Sequence, residues 1–479
     1  MPSPKLPKSP GRRYCTSATY HKDPLTYYFP LGGDISIVQK NREEHDDPRG
    51  YAQIETAGEI RLRRLPKGSN SVDGKGYTTG VINVSDPGIE VEWSLEDDAR
   101  FLTIVTPRFA RLDSSIRHCV SLDIVVWVPE DAKLTSLLLS AFTLGLTVLD
   151  DIQLDVDSSR LESISGHISF PTPSSADTPN VPISHPEFRF NSRRVQISTI
   201  SGDITGLFPL LDYLELGSQS GHIDASVLPH DALAAGPSAA VLNVHTTSGD
   251  IDVRLPLLST TKPKFTPPPR DYVTTVYSTS GPISGTYYLG SSAEFETASG
   301  DLKTKILPIV QYGDDPDKDP KADFKTGTIS GDIDVEILDP MFISLIASEY
   351  PAQQDRSAPY KPVGDEDPYR SLRGLGKSFS HISPANSKEK KLRNLHSSHN
   401  TTSGDISIRS PAAWEGSVSG ETLSGDMSVE GKGLNVIKFK KGFIHKEFLA
   451  RKGVDSGDVG SVTRLKALSG DLRFVAASN

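Results

Sequence analysis

Aspartates in a recurring tripeptide are the most prominent chemical feature of this sequence. Ser-Gly-Asp occurs eight times, with its carboxylates at Asp203, Asp250, Asp301, Asp332, Asp405, Asp426, Asp458 and Asp471. Stacked in a β-sheet, these carboxylates would lie about 4.8 Å apart and could attract Ca²⁺, a hard cation that favours oxygen ligands. His167, His222 and Pro282 interrupt the row, and the Gly-Gly-x-Gly-x-Asp repeat of calcium-binding β-rolls does not occur. We therefore expect each Asp to close its own turn and face water, and we assign no metal ligand and no cofactor.

Other metal-like patterns are weaker. Asp315, Asp317 and Asp319 mimic the start of an EF-hand loop, but Pro320 stands where that loop requires Gly, which indicates an acidic loop. His396 and His399 form an H-x-x-H pair without further ligands nearby, so a zinc site is not predicted.

Catalytic arrangements are not found either. His118 and Cys119 are adjacent in a predicted strand and would face opposite sides, which separates a nucleophile from its base. The sequence contains no Walker loop, no dinucleotide fingerprint and no Gly-x-Ser-x-Gly in a strand–turn–helix context. A polysaccharide-acting β-helix enzyme stays open as an alternative, because paired catalytic acids cannot be distinguished from turn-closing carboxylates. We predict that the protein is not an enzyme and assign no catalytic residue.

A basic segment could bind acidic partners. Lys438, Lys440, Lys441, Lys446, Arg451 and Lys452 alternate with apolar residues such as Phe439 and Phe448. One interpretation is a weak contact with an anionic membrane surface. The favoured interpretation is a pair of strands whose outward lysines protect a sheet edge. The cluster Lys388, Lys390, Lys391 and Arg393 is interpreted as a solvated linker.

The elements that position these residues follow from the repeat itself. The residue after the acidic position is aliphatic in every copy: Ile35, Ile60, Ile168, Ile204, Ile223, Ile251, Ile283, Leu302, Ile333, Ile406, Met427, Val459 and Leu472. Gly would supply positive φ at a tight corner, Ser and Asp would bond to the local backbone, and the aliphatic residue would begin a buried strand. Gly32-Gly33-Asp34 and Ala57-Gly58-Glu59 are interpreted as degenerate early copies.

These features predict an all-β, solenoid-like fold of the β-helix or β-roll type. The shortest full steps between corners are 19 residues, as from Ser201 to Ser220, which suits one coil of two strands and two turns. Longer steps would be coils with inserted loops. The step of 13 residues from Ser456 to Ser469 would be a hairpin or a capping turn.

Composition changes along the chain suggest five segments. We predict a disordered tail over 1–25, an N-terminal β region capping the solenoid over 26–130, and central repeats over 131–344. A Pro-, Ser- and charge-rich insert over 345–400 is predicted to be disordered, and repeats resume over 401–479.

Bulk properties narrow the function. The net charge of -10 argues against nucleic-acid binding. No signal peptide or transmembrane segment is recognisable, which favours a cytoplasmic location. Cys15 and Cys119 are the two cysteines, and no disulfide framework can be deduced from one pair.

The motifs resemble a known family. Thr247-Ser248-Gly249-Asp250-Ile251 and Thr402-Ser403-Gly404-Asp405-Ile406, with Val128-Pro129 ending an earlier strand, are similar to the putative-adhesin family of unknown function, a β-solenoid-like domain of bacterial and fungal proteins. The resemblance implies a solenoid-like fold and no established catalytic residues.

Together these observations predict a non-enzymatic structural or interaction protein, adhesin-like in character. Its partner would be an unidentified protein or glycan. The alternatives are a peripheral membrane scaffold using the basic segment, and the polysaccharide-acting enzyme.

Overall fold

The computed structural model describes residues 15, 17–42, 51–66, 75–97, 100–113, 115–172, 188–232, 238–257, 265–312, 321–344, 390–442, 445–454 and 460–477. Every regular element in these ranges is a β-strand, which confirms the all-β prediction.

The first seventeen strands are β1 Tyr20–His21, β2 Leu25–Phe29, β3 Asp34–Asn41, β4 Ala52–Arg64, β5 Gly76–Val84, β6 Glu92–Glu96, β7 Phe101–Thr106, β8 Phe109–Ala110, β9 His118–Val128, β10 Ala132–Ala141, β11 Gly145–Val148, β12 Gln153–Ser163, β13 Ile168–Ser169, β14 Arg189–Thr199, β15 Ile204–Leu210, β16 Tyr213–Ser218 and β17 Ile223–Pro229. The others are β18 Ala240–Thr246, β19 Ile251–Arg254, β20 Tyr272–Ser280, β21 Ile283–Leu289, β22 Ser292–Ser299, β23 Leu302–Tyr312, β24 Ala322–Ser330, β25 Ile333–Ile337, β26 Met341–Ser344, β27 Leu395–Ser403, β28 Ile406–Ser410, β29 Gly416–Ser424, β30 Met427–Gly431, β31 Leu434–Lys441, β32 Lys446–Lys452, β33 Ser461–Ser469 and β34 Leu472–Ala476.

The chain forms two compact units, unit 1 over 1–228 and 244–254 and unit 2 over 229–243 and 255–479. Each unit is a stack of coils. In one coil a strand of a first sheet runs into a Ser-Gly corner, and a strand of a second sheet leaves it. This arrangement is the solenoid-like fold predicted from the repeat.

In unit 1 the first sheet follows the order β6, β7, β3, β10, β12, β14, β16. In its second sheet, β9, β4, β11, β13 and β15 are parallel neighbours, and β17 pairs in parallel with β19. β5 pairs antiparallel with β9, and β1 and β2 pair antiparallel with β5.

Unit 2 stacks its last coil out of chain order. The first sheet follows the order β20, β22, β24, β27, β33, β29, β32, β31, and the second follows β21, β23, β25, β28, β34, β30. The final coil, β33 and β34, therefore lies between the coil of β27 and that of β29. No spacing in the sequence indicates this insertion.

The aliphatic residues after the corners form in-register rows in the core. In unit 1, Ile60, Leu146, Ile168 and Ile204 are successive strand partners, and Ile223 pairs with Ile251. The row of unit 2 is Ile283, Leu302, Ile333, Ile406, Leu472 and Met427. All except Met427 are buried. The aliphatic position, which varies least among the copies of the repeat, therefore supplies a continuous apolar core.

Close stacking of the coils explains the corner glycines. A Cβ added at Gly202 would overlap the carbonyl oxygen of Gly166 in the preceding coil, and one at Gly331 would overlap that of Gly300. Gly331 also has a φ of +154°, whereas Gly202 is not among the residues of positive φ. The prediction that Gly supplies positive φ is therefore incomplete, since backbone contact between coils imposes glycine at both corners.

Two corners differ from the sequence interpretation. Gly58 does precede the row residue Ile60, but Gly32-Gly33-Asp34 is not a corner, because Ile35 lies in first-sheet strand β3 opposite Leu137. The corner after β10 lacks the repeat. The side chain of Gln39, on the neighbouring strand β3, caps this corner instead. Its Oε1 accepts hydrogen bonds from the backbone N of Phe142 (2.9 Å) and Thr143 (3.1 Å).

The structure also differs from the predicted disordered segments. The tail predicted over 1–25 contains β1, and Cys15 forms a disulfide with Cys119, with Cα atoms 5.8 Å apart. Strand β27 begins at Leu395, inside the insert predicted over 345–400. A polar His-Ser-Ser-His-Asn strand has little apolar periodicity, and in-register pairing with β24 and β33 specifies it instead.

Candidate functional site

The corner aspartates of unit 2 form a continuous hydrogen-bonded row. Oδ1 of Asp301 accepts from the backbone N of Asp332 at 2.9 Å, and Asp332 accepts in the same way from Asp405 at 2.8 Å. Asp405 accepts from Asp471 at 2.7 Å, and Asp471 accepts from Asp426 at 2.6 Å. Four carboxylates, those of Asp301, Asp332, Asp405 and Asp471, thus cap the corner of a neighbouring coil. The expectation that each Asp closes its own turn is wrong for these residues.

The corner row of unit 1 alternates histidine and aspartate. Nδ1 of His167 accepts from the backbone N of Asp203 at 3.0 Å, Oδ1 of Asp203 accepts from His222 N at 2.9 Å, and Nδ1 of His222 accepts from Asp250 N at 3.1 Å. An imidazole nitrogen and a carboxylate oxygen therefore perform the same task. At these corners a histidine nitrogen is as suitable an acceptor as a carboxylate oxygen, which explains why His can replace the Asp.

A second polar position, which was not predicted from the sequence, completes the corner. The hydroxyl of the residue three before the corner glycine is buried and bonds to the corner backbone. Thr199 Oγ1 accepts from Gly202 N at 2.9 Å, and Ser218 Oγ accepts from Gly221 N at 2.8 Å. Ser and Thr recur at this position, as in Thr297, Thr328, Thr401 and Thr422, so the longer motif Ser/Thr-x-Ser-Gly was visible in the sequence.

The metal-like patterns of the sequence are tested only where the structure describes their residues. Among the described residues no group of three His, Cys, Asp or Glu side chains is placed to hold a metal ion. Asp315, Asp317, Asp319 and Asp458 lie outside the described residues.

His399 belongs to the core of unit 2. It is fully buried, its Nδ1 lies 2.8 Å from Oγ1 of Thr326, and its ring contacts Phe324 edge-on, with centroids 5.1 Å apart. Burial lowers the pKa of His399 from 6.5 to about 3, so the imidazole is neutral at physiological pH. His396, three residues earlier in the same strand, is half-buried and outside this core contact.

His118 and Cys119 have separate structural partners. Cys119 forms a disulfide with Cys15 and has no free thiol. Nε2 of His118 lies 2.9 Å from the backbone oxygen of Asp113. The pair therefore does not provide a nucleophile and its base.

The basic segment forms the antiparallel strands β31 and β32. Lys446 Nζ donates to Gly425 O at 2.5 Å, Lys452 Nζ donates to Ala412 O at 2.9 Å, and Lys438 pairs with Glu447 at 2.7 Å. Three of the five lysines of the segment therefore stabilise the local fold. Phe443 and Ile444 lie outside the described residues.

A row of aromatic side chains crosses the second sheet of unit 1. Tyr28, Tyr77, Trp127 and Arg63 are direct cross-strand partners on β2, β5, β9 and β4. The ring centroids of Tyr28 and Tyr77 are 5.7 Å apart, and those of Tyr77 and Trp127 are 5.9 Å apart. The Arg63 guanidinium lies 5.2 Å from the Trp127 centroid. We call these four residues the aromatic row.

The aromatic row lies on the outer face of its sheet. Tyr28 is 47% exposed, and Tyr77, Trp127 and Arg63 are half-buried. The residues that follow the three aromatic ones, Phe29, Thr78 and Val128, are buried on the opposite face. Tyr27, beside Tyr28, is buried, and burial raises the pKa of its phenol to about 12. Burial against its neighbours, followed by the proximity of Tyr28, also raises the pKa of Tyr77, so the Tyr77 phenol stays a neutral donor at physiological pH.

Polar groups fix the aromatic row and border it. Trp127 Nε1 donates to Thr79 Oγ1 at 3.0 Å, and Arg63 pairs with Asp151 at 2.9 Å. Thr26 lies opposite Thr79 in the adjacent row of the sheet. Rings with hydroxyl, guanidinium and carboxylate groups at their edges offer both apolar contact and hydrogen bonds to a ligand.

A shallow groove of 620 Å³ lies beside the corners of unit 1. Ser140, Ser198, Ile164 and Ile200 line it, and Glu162 is the single carboxylate among its lining residues. Hydrolysis of a glycosidic bond normally uses two carboxyl groups, and this groove offers one.

Comparisons with known proteins identify distant structural neighbours. The chain matches no protein-family model. No curated protein matches it significantly. Solved neighbours include a putative adhesin from Parabacteroides distasonis (10% identity, TM-score 0.23, covering 67% of this chain and 96% of that one) and one from Bacteroides fragilis (12%, 0.24, 66% and 98%). A putative cell adhesion protein from Clostridium sporogenes has 7% identity and a TM-score of 0.15, covering 96% of this chain and all of that one. Similarity at this level does not assign a function to the chain.

The described residues contain no helix able to cross a membrane. The disulfide between Cys15 and Cys119 is of a kind that persists in oxidising compartments, which the cysteine count alone did not indicate. A cytoplasmic location stays a prediction.

Proposed function

We propose that the protein is a non-enzymatic, adhesin-like binding protein and that its aromatic row contacts an extended glycan. The observation that carries this proposal is the placement of Tyr28, Tyr77, Trp127 and Arg63 side by side on an exposed sheet face. Aromatic side chains with polar tips are rigid and amphipathic, and such residues dominate the energetics of many binding sites.

A glycan fits this surface better than a folded protein does. The aromatic row is one residue wide and is bordered by polar groups, including Thr79 and the ion pair of Arg61 with Asp123. A stable protein–protein contact buries roughly 800 Å² per partner around an apolar centre. A chain of sugar rings needs only a narrow strip that combines apolar carbon with hydrogen-bonding groups.

The corner rows support the non-enzymatic part of the proposal. Their carboxylates and imidazoles are engaged with backbone N–H groups of neighbouring coils, and the groove of unit 1 offers one carboxylate. A general acid–base mechanism would need titratable groups aimed at a ligand.

An oligosaccharide array tests the proposal. Wild type is expected to bind at least one glycan, and Tyr28→Ser and Trp127→Thr are expected to weaken that binding at least tenfold. Tyr277→Ser is the matched control, because Tyr277 is 45% exposed but lies in unit 2.

Three results would contradict the proposal. The first is unchanged binding by Tyr28→Ser, and the second is no binding by wild type to any glycan of the array. The third is cleavage of the bound oligosaccharide, seen by mass spectrometry, which would favour the polysaccharide-acting enzyme.

A further inference from the structure

Strand β6 ends the first sheet of unit 1 with an acidic edge. It pairs antiparallel with β7, and among the described strands none pairs with its other edge. Trp93 and Leu95 lie opposite the buried Ile104 and Leu102, on the core side, yet they are 48% and 37% exposed. The alternate face carries Glu92 and Glu96, both exposed.

Strand β31 ends the first sheet of unit 2 with a basic edge. It pairs antiparallel with β32, and no described strand occupies its outer side. Val436 and Phe439 lie opposite the buried Ala450 and Phe448, and they are 44% and 40% exposed. Because of a bulge between Val436 and Lys438, both Lys438 and Lys440 fall on the alternate face.

The two edges share one pattern with opposite charge. Each has half-exposed apolar residues on the core side and exposed charged residues on the outer side, with glutamates on β6 and lysines on β31. Unpaired sheet edges readily accept another strand, and charge on an edge suppresses pairing with an edge of the same sign. Two β6 edges repel one another, as do two β31 edges, which leaves the mixed pair as the compatible one.

We propose that β6 of one molecule pairs with β31 of a second copy of the chain. Backbone hydrogen bonds would join the two first sheets, and Trp93 and Leu95 would pack beside Val436 and Phe439. Glu92 and Glu96 would face Lys438 and Lys440. The contact is heterologous, so each molecule keeps one unused edge and association proceeds to a ring or an open chain. The proposal is independent of any ligand on the aromatic row.

Sedimentation velocity across protein concentrations tests the pairing through charge swaps. Wild type is expected to form species larger than a monomer that dissociate as salt is raised, because exposed charge pairs are screened. Variant K438E/K440E and variant E92K/E96K should each stay monomeric. An equimolar mixture of these two variants should associate again, because it restores opposite charges across the contact. The chain carrying all four substitutions should self-associate as wild type does.

Matched controls separate pairing from general charge effects. Variants K303E/K466E and E296K/E421K change net charge by the same amounts at exposed positions of strands inside the unit 2 sheets. They should associate as wild type does. Thermal unfolding of every variant checks the fold, since Lys438 and Glu92 also pair with Glu447 and Arg42.

Three outcomes would overturn the proposal. Wild type could stay monomeric at every concentration, the single-edge variants could associate like wild type, or the mixture of variants could fail to recover association. Vesicles containing phosphatidylserine identify the rival partner. Binding of monomeric wild type to them, lost in K438E/K440E, would assign the basic edge to a membrane surface instead.

Discussion

The corner rows and the aromatic row arise from the same device, the in-register pairing of neighbouring strands, but they leave different groups available. At the corners, the side chain of Asp332 or His222 is occupied by the backbone of the next coil. In the aromatic row, rings contact one another and retain exposed surface. The repeated residues therefore build the fold, and the residues with free surface lie where the Ser-Gly-Asp repeat is weakest.

Replacing a corner glycine should have the largest effect. In Gly331→Ala the new Cβ would overlap the Gly300 carbonyl, and the φ of +154° disfavours an L-residue. We expect a loss of more than about 3 kcal/mol in the free energy of unfolding, measured with urea. Gly327→Ala is the matched control, because its Cβ would meet only Glu296 Cγ at 3.8 Å. Equal stability of the two variants would refute the close-stacking explanation.

Acid should destabilise unit 2 through His399. The folded state binds this proton only near pH 3, whereas the unfolded chain binds it near 6.5. Between these values the unfolded state holds more protons, so stability falls as pH falls, by about 1.4 kcal/mol per pH unit. Urea titrations from pH 7 to 4 measure the slope. His399→Leu should reduce it, and an unchanged slope would exclude His399 as its source.

Removing one corner carboxylate should cost less. In Asp405→Ala the backbone N–H of Asp471 loses its acceptor, and we expect about 1 kcal/mol of destabilisation. Asp405→Asn keeps an oxygen acceptor and removes one charge from a like-charged row, so it should be neutral or slightly stabilising. An equal loss in the Asn and Ala variants, measured by urea unfolding, would show that the charge itself is needed.

Truncating the exposed end of the aromatic row should change stability least. Tyr28 is 47% exposed, and Tyr28→Ser loses one cross-strand aromatic contact worth roughly 0.2–1 kcal/mol. The melting temperature should therefore stay close to that of wild type while glycan binding weakens. A large loss of stability would show that Tyr28 is needed for the fold, as the corner residues are.

The repeated parts of this fold could be predicted from the sequence, whereas the parts that occur only once could not. The aliphatic row and the Ser-Gly corners follow from residues that recur, because recurrence shows which positions stack. Tyr28, Tyr77 and Trp127 are about 50 residues apart in succession, and only the antiparallel register of β5 brings them together. The Cys15 disulfide, the insertion of the last coil and the Gln39 corner cap also depend on single long-range contacts, which no local pattern records.

Binding isotherms for a glycan selected from the array distinguish residues that bind a ligand from residues that only build the fold. Wild type, Asp405→Ala and Tyr28→Ser would be compared at one temperature and salt concentration. If the repeat is structural and the aromatic row binds the glycan, the dissociation constant of Asp405→Ala stays within about twofold of wild type. Tyr28→Ser then binds at least tenfold more weakly, a loss of about 1.4 kcal/mol in binding free energy. Tight binding by Tyr28→Ser together with lost binding by a folded Asp405→Ala would contradict it and place the ligand on the corner row.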